Sequence, residues 1–172
     1  IEELTGEIRD EFDAPSGGSL LEVFVPQASD LDLGAVDRVG AISKLLQNLT
    51  AAVPDLNYKE TFEILMKRET ALTTAIGSEV ALPHGRLPNL AKPLLAIGRS
   101  SVGIPFEAPD KRAVKLLFMI LTPAREPRAQ LRLLAKTAAL VSNRALLRRS
   151  KKAKTPSQLT EILKAFDSTM PA

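Results

Sequence analysis

Arg68-Glu69-Thr70-Ala71-Leu72-Thr73-Thr74-Ala75-Ile76-Gly77-Ser78-Glu79-Val80-Ala81-Leu82-Pro83-His84-Gly85-Arg86 is the stretch on which the fold turns. It leaves a helical pattern and enters a short apolar run, Glu79 to Leu82, closed by a proline, so the hydrophobic period changes from helix to strand within it. The strand is expected to deliver His84 to its own carboxyl end, where open α/β sheets keep their ligand crevices. Pro83 stiffens that exit, and Gly85 lets the backbone turn without a Cβ. The imidazole is therefore expected at a rim.

Upstream, Asn57 is a good N-cap for a helix running through Phe62, Ile64 and Leu65 to about Arg68. Before it, Val36, Val39, Ile42, Leu45, Leu46, Leu49 and Val53 recur at three and four residues, an amphipathic helix that Pro54 ends. Leu20 to Val25 alternates as a short strand closed by Pro26. Downstream, Leu94 to Arg99 and Val114 to Leu121 are apolar runs continuous enough to be buried on both faces. Leu131, Leu134, Ala138 and Val141 mark a long helix. A last one opens at Thr155-Pro156, with Leu159, Ile162, Leu163 and Phe166 on one side. Helices on either side of buried strands make an α/β, three-layer domain with a central mixed β-sheet flanked on both faces. Residues 19–172 are expected to form this domain. Residues 1–18 read as an N-terminal arm or linker: a weak helical pattern of Ile1, Leu4, Ile8 and Phe12 runs into the turn-rich Asp13-Ala14-Pro15-Ser16-Gly17-Gly18.

The chain has 172 residues, enough to bury roughly 70% of the surface it exposes when unfolded. It has no cysteine and one histidine, which excludes thiol nucleophiles, disulfides, iron–sulfur clusters and Cys-based zinc sites. No apolar run approaches the ~20 residues of a membrane helix and no signal pattern opens the sequence, so a cytoplasmic chain without membrane insertion is expected. It starts at Ile1 rather than methionine, as a piece of a longer protein would. Net charge is +3, concentrated in Arg144, Arg148, Arg149, Lys151, Lys152 and Lys154. This run reads first as a solvated helix end whose cations complement the dipole, and second as a patch that docks a partner. With no interleaved aromatics it offers no stacking platform for nucleic acid.

A neutral imidazole can be a nucleophile, a general base, a metal ligand or simply a packed core residue. No carboxylate cluster flanks His84 to complete a metal site, and no Gly-x-Ser-x-Gly elbow exists. The residues alone leave the remaining choices open.

Glu69, Ile76, Gly77, Val80, Ala81, Leu82, Pro83, His84 and Gly85 do, however, resemble a known signature. It is the phosphorylation site of the enzyme IIA domains of the fructose, mannitol and nitrogen-related branches of the bacterial phosphoenolpyruvate-dependent phosphotransferase system. The likeness extends from about Leu31 to Phe166, through Pro105-Phe106-Glu107-Ala108, the 116–123 strand and the 130–140 helix. It implies a phosphocarrier without a cofactor, in which His84 takes a phosphoryl group from an HPr-type carrier protein and passes it to a downstream IIB-like or regulatory target. By the same resemblance Arg68 contacts the phosphoryl group, and Thr74 either donates a hydrogen bond to it or shapes the loop. Many enzyme IIA domains carry a second histidine where Gln130 stands here; an amide donates a hydrogen bond but carries no charge. That change ranks a nitrogen-type regulatory role above sugar uptake. The competing reading is a non-catalytic interaction or sensor domain, the cytosolic part of a larger transporter joined through the arm.

Overall fold

The computed structural model describes residues 18–35 and 37–170. Among these residues six α-helices surround one mixed sheet. They are α1 (Leu20–Val23), α2 (Arg38–Ala52), α3 (Tyr58–Ala71), α4 (Pro127–Ser142), α5 (Arg144–Lys152) and α6 (Pro156–Thr169). The strands are β1 (Ala75–Gly77), β2 (Val80–Ala81), β3 (His84–Leu87), β4 (Leu94–Ile104) and β5 (Val114–Pro123).

Central β5 is buried along almost its whole length, as its continuous apolar sequence requires. Its residues alternate between two cores. Leu117, Met119 and Leu121 face α2 and α3, whereas Leu116, Phe118 and Ile120 face α1, α4 and α6. One edge of β5 pairs with β4, antiparallel from Leu94↔Leu121 to Arg99↔Leu116. The other edge pairs in parallel with β2 and β3, which keep one register: Val80 lies opposite Leu116 and His84 opposite Ile120. These two pieces are thus one strand interrupted at Leu82-Pro83. The proline cannot donate to the ladder, but its carbonyl still accepts from Ile120 N at 2.9 Å.

Helix ends follow the capping residues in the sequence. Asp37 Oδ1 accepts from Gly40 N at 2.7 Å, Asn57 Oδ1 from Glu60 N at 2.9 Å and Thr155 Oγ1 from Gln158 N at 3.2 Å. Two expectations need correction. Leu20 to Val25 is not a strand: Ser19 Oγ accepts from Glu22 N at 3.0 Å and starts the single turn α1. Leu20, Val23 and Phe24 then share a helical face against the second core, and only Phe24 bridges the sheet, at Leu95. The basic run is also more than the end of the preceding helix. Asn143 closes α4 through its backbone N–H to Leu140 O, and its side chain caps the separate helix α5 by accepting from Leu146 N. The arm expected over 1–18 lies, save for Gly18, outside the described residues.

Candidate functional site

His84 opens β3 rather than ending a strand, so it lies inside the sheet and is only 9% exposed. This departs from the expected rim position, because the chain rejoins the β5 ladder directly after Pro83. The ring still reaches solvent. A cleft of about 570 Å³ opens beside β3, between α3, which contributes Ile64, Lys67, Arg68 and Ala71, and Gln130 in the first turns of α4. His84, Gly85 and Arg86 line its wall.

Gly85 sets how closely α3 approaches. A Cβ there would sit 2.7 Å from Ile64 Cγ2, well inside contact distance, so the helix carrying Arg68 can lie against β3 only because residue 85 has no side chain.

The histidine's protonation geometry is fixed by its own strand. Nδ1 lies 2.7 Å from Leu82 O, and a carbonyl only accepts, so Nδ1 carries the proton and Nε2 keeps its lone pair. Burial, above all, lowers the ring's pKa from its ordinary 6.5; the positive charge of Arg68 acts in the same direction, while the Leu82 hydrogen bond and the Glu69 carboxylate oppose it. The ring is therefore neutral at pH 7, with one unprotonated nitrogen.

Arg68 lies in the last turn of α3 and donates from Nη1 to Leu72 O at 2.6 Å, which satisfies a carbonyl just beyond the helix end and anchors the guanidinium at the mouth of the cleft. Lys67 and Arg86 add two further cations. Sequence reasoning passed over both, although each had a signal. Arg86 is two residues from His84 on the same strand, and Ile64, Lys67, Arg68 and Ala71 follow helical spacing.

Thr74 is placed differently from the other candidates. It is 4% exposed, its Oγ1 donates to Glu69 Oε2 at 2.5 Å, and its N–H donates to Glu69 Oε1 at 3.1 Å. Its carbonyl accepts from Leu82 N at 3.0 Å, and it is not among the cleft-lining residues. Glu69, 1% exposed and 3.8 Å from Arg38 Nη1, thus ties the loop after α3 to the helix itself. Thr73 completes the tie by donating from Oγ1 to Phe106 O at 2.5 Å. The loop in turn holds Leu82, whose carbonyl holds His84. Of the four residues singled out from sequence, three meet in the cleft and Thr74 stands behind it.

The opposite end of β2 is strained. Ser78 and Glu79, in the two-residue turn between β1 and β2, have φ of 56° and 65°, values that favour Gly or Asn. Glu79 is held there by Arg112 at 2.7 Å, Lys151 at 3.0 Å and Lys115 at 3.2 Å. Partial burial tends to raise its pKa, but hydrogen bonds and charge from Lys151 and Lys115 outweigh that and lower it below 4.5.

Among the described residues no group of three or more His, Asp or Glu converges as a metal site, and no helix is long and apolar enough to cross a membrane. Residues 22–166 match the family model of the phosphoenolpyruvate-dependent sugar phosphotransferase system, EIIA 2. A nitrogen regulatory protein of Bradyrhizobium diazoefficiens is 32% identical over 129 residues, which cover 73% of this chain and 84% of that one. The crystal structure of nitrogen regulatory protein IIA-Ntr from Neisseria meningitidis superposes with a TM-score of 0.77 at 25% identity, covering 84% of this chain and 98% of that one. The Escherichia coli enzyme IIAMTL, solved in complex with phosphorylated enzyme IIBMTL, shares the fold with a TM-score of 0.71 at 16% identity, covering 83% and 99% of the two chains. With a match over most of its length, the chain belongs to the EIIA type 2 family of the phosphotransferase system.

Proposed function

We propose that His84 Nε2 accepts a phosphoryl group from the phosphohistidine of an HPr-type carrier, and that the phosphorylated domain serves regulation before sugar uptake. The observation that carries this reading is the Nδ1–Leu82 O hydrogen bond, which leaves Nε2 as the one free lone pair in a cleft lined by Lys67, Arg68 and Arg86. The Nε2 lone pair attacks phosphorus in line, the P–N bond to the donor imidazole breaks, and the donor leaves with that electron pair. His84 becomes a phosphoimidazole whose Nδ1–H stays bonded to Leu82 O, which stabilises the positive charge developing on the ring. Such a transfer needs positioning and charge stabilisation more than covalent help. Arg68 supplies a planar fork for the equatorial oxygens, with Lys67 and Arg86 as further cations. Thr74 and Glu69 act as positioning residues through the loop that holds Leu82.

The regulatory preference rests on Gln130. It lines the cleft but takes up no proton, so it can hydrogen-bond a phosphoryl oxygen without aiding departure. Similarity to nitrogen regulatory proteins supports the same preference. The complex of enzyme IIAMTL with a phosphorylated IIB component supports a protein, rather than a small molecule, as the next station.

The test is incubation with phosphoenolpyruvate, enzyme I and an HPr-type carrier, followed by intact mass. One acid-labile phosphoryl group is expected on the wild type and none on His84→Ala. Arg68→Ala should slow acceptance at least tenfold, equivalent to about 1.4 kcal/mol of barrier. No phosphorylation of the wild type by any such carrier, or phosphate persisting in His84→Ala, would refute the proposal.

A further inference from the structure

Three exposed cations of α5, Arg148, Arg149 and Lys152, line a groove of about 480 Å³ between α5 and the first turns of α6. Its floor is apolar, formed by buried Ala153 and Ile162. Among the described residues none of the three cations has an ion-pair partner, and the one acid lining the groove, Glu161, is paired with Lys164 at 3.3 Å. Lys151, by contrast, turns to the other side and binds Glu79. The groove therefore presents uncompensated positive charge over an apolar base.

The complementary chemistry lies in the same chain. Residues 1–17 carry Glu2, Glu3, Glu7, Asp10, Glu11 and Asp13 against the single cation Arg9, with Ile1, Leu4, Ile8 and Phe12 at three- and four-residue spacing. The chain enters the described fold at Gly18, whose carbonyl accepts from Lys136 Nζ on α4. The helix that follows, α1, packs against α6. The point at which the arm is attached and the groove thus share one layer of the molecule, the one built on α1, α4 and α6. The seventeen residues reach at most about 60 Å when extended, and the four left undocked, 14–17, allow Asp13 to lie up to about 17 Å from Gly18, against a length of about 21 Å for the 14-residue α6. A tether of that length gives an effective concentration near millimolar, which favours the chain's own acids over those of a free partner.

We propose that residues 1–13 dock in the α5–α6 groove of their own chain, with carboxylates on Arg148, Arg149 and Lys152 and apolar residues on the Ala153–Ile162 floor. The groove lies beyond the far end of α4 from Gln130, about 18 Å along that helix, so docking leaves the His84 cleft open. This proposal stands whether or not His84 is phosphorylated.

The absence of cysteine makes the test direct, since one introduced thiol takes one nitroxide label. A label at Ala145→Cys on α5 should broaden the amide NMR signals of residues 2–13 several-fold more than a label at Val102→Cys on β4. Broadening should be independent of protein concentration, fall away at about 0.5 M NaCl, and be lost both in Arg148→Glu/Arg149→Glu/Lys152→Glu and in Glu7→Lys/Glu11→Lys. The last pair alters only the arm and leaves the described fold untouched. Equal broadening from both labels, stronger broadening from a label at Leu131→Cys beside the His84 cleft, or broadening that vanishes on dilution with unlabelled protein would overturn the proposal.

Discussion

Gly85→Ala tests the packing that brings Arg68 to His84. The new Cβ would lie 2.7 Å from Ile64 Cγ2 and 3.8 Å from Leu65 Cδ2. Carbon atoms pack best at about 3.5–4.0 Å, so α3 has to withdraw by roughly 1 Å at Ile64, whose branched Cγ2 cannot swing away as a chain terminus could. Overpacking of this kind costs about 1–3 kcal/mol. In urea the unfolding midpoint should fall with an unchanged m-value. Retreat of α3 also carries Arg68 away and opens the ring to water, so the His84 pKa should rise towards 6.5, because both causes of its lowering weaken. The partner change is Ile64→Leu, which moves the branch off Cβ and deletes the clashing Cγ2. Gly85→Ala/Ile64→Leu should recover at least half of the lost stability, with a coupling of about 1 kcal/mol in the double-mutant cycle. Gly85→Ala within 0.5 kcal/mol of wild type, with the His84 titration unmoved, would refute the close-approach argument.

Three further outcomes follow from the geometry. Glu69→Ala leaves the buried N–H and hydroxyl of Thr74 without their acceptor and should cost about 2–4 kcal/mol in chemical denaturation; Glu69→Gln, which keeps one carbonyl acceptor, should cost less. The sole imidazole of the chain should titrate below 6.5 by NMR, and Arg68→Ala should raise its midpoint. Because the folded pKa is the lower one, the neutral ring contributes stability that is complete above pH 6.5 and lost as pH falls through the folded value, so His84→Gln should flatten the stability profile in that window. Glu79→Gln removes the anion from Arg112, Lys115 and Lys151 and should destabilise at neutral pH. That difference should start to close as pH falls below 4.5, where the unfolded chain takes up the proton first, and should be gone once pH has passed below the lowered folded value, where the wild-type carboxyl is itself protonated; a constant difference down to pH 2 would contradict the ion-pair account.

Much of the fold was legible because helix period and capping act locally. Asn57 and Thr155 cap the helices expected of them, and the unbroken apolar run at 114–121 lies at the centre of the sheet. What escaped depended on tertiary pairing. β1 and β3 are short and carry no alternation of their own; they become strands only through β2 and β5. Leu20 to Val25 shows a strand's alternation, yet Ser19 and Glu22 cap a helical turn, and burial of Leu20 and Val23 on one face decides it. In the site, His84 stood out as the one imidazole of the chain, but the roles of the motif and of Arg68 came from the resemblance to the family signature, since spacing alone reads Arg68 as an exposed helix-end cation. For Thr74 the resemblance left two roles open, a hydrogen bond to the phosphoryl group or shaping of the loop, and its bonds to Glu69, five residues earlier near the helix end, fit the second. Spacing places Lys67 beside Arg68 on the helix and Arg86 beside His84 on the strand, but that these two faces meet in one cleft follows from Gly85 letting α3 lie against β3, a tertiary contact outside the reach of spacing.

The central claim is that His84 accepts a phosphoryl group at the nitrogen facing the cleft. Its most direct test is ³¹P and ¹⁵N NMR of the protein labelled at its one histidine, recorded after phosphorylation through the carrier. The account predicts a P–N bond at Nε2, with the Nδ1 proton still present and slow to exchange because Leu82 O holds it. Phosphate on Nδ1, or on any side chain other than His84, would contradict it.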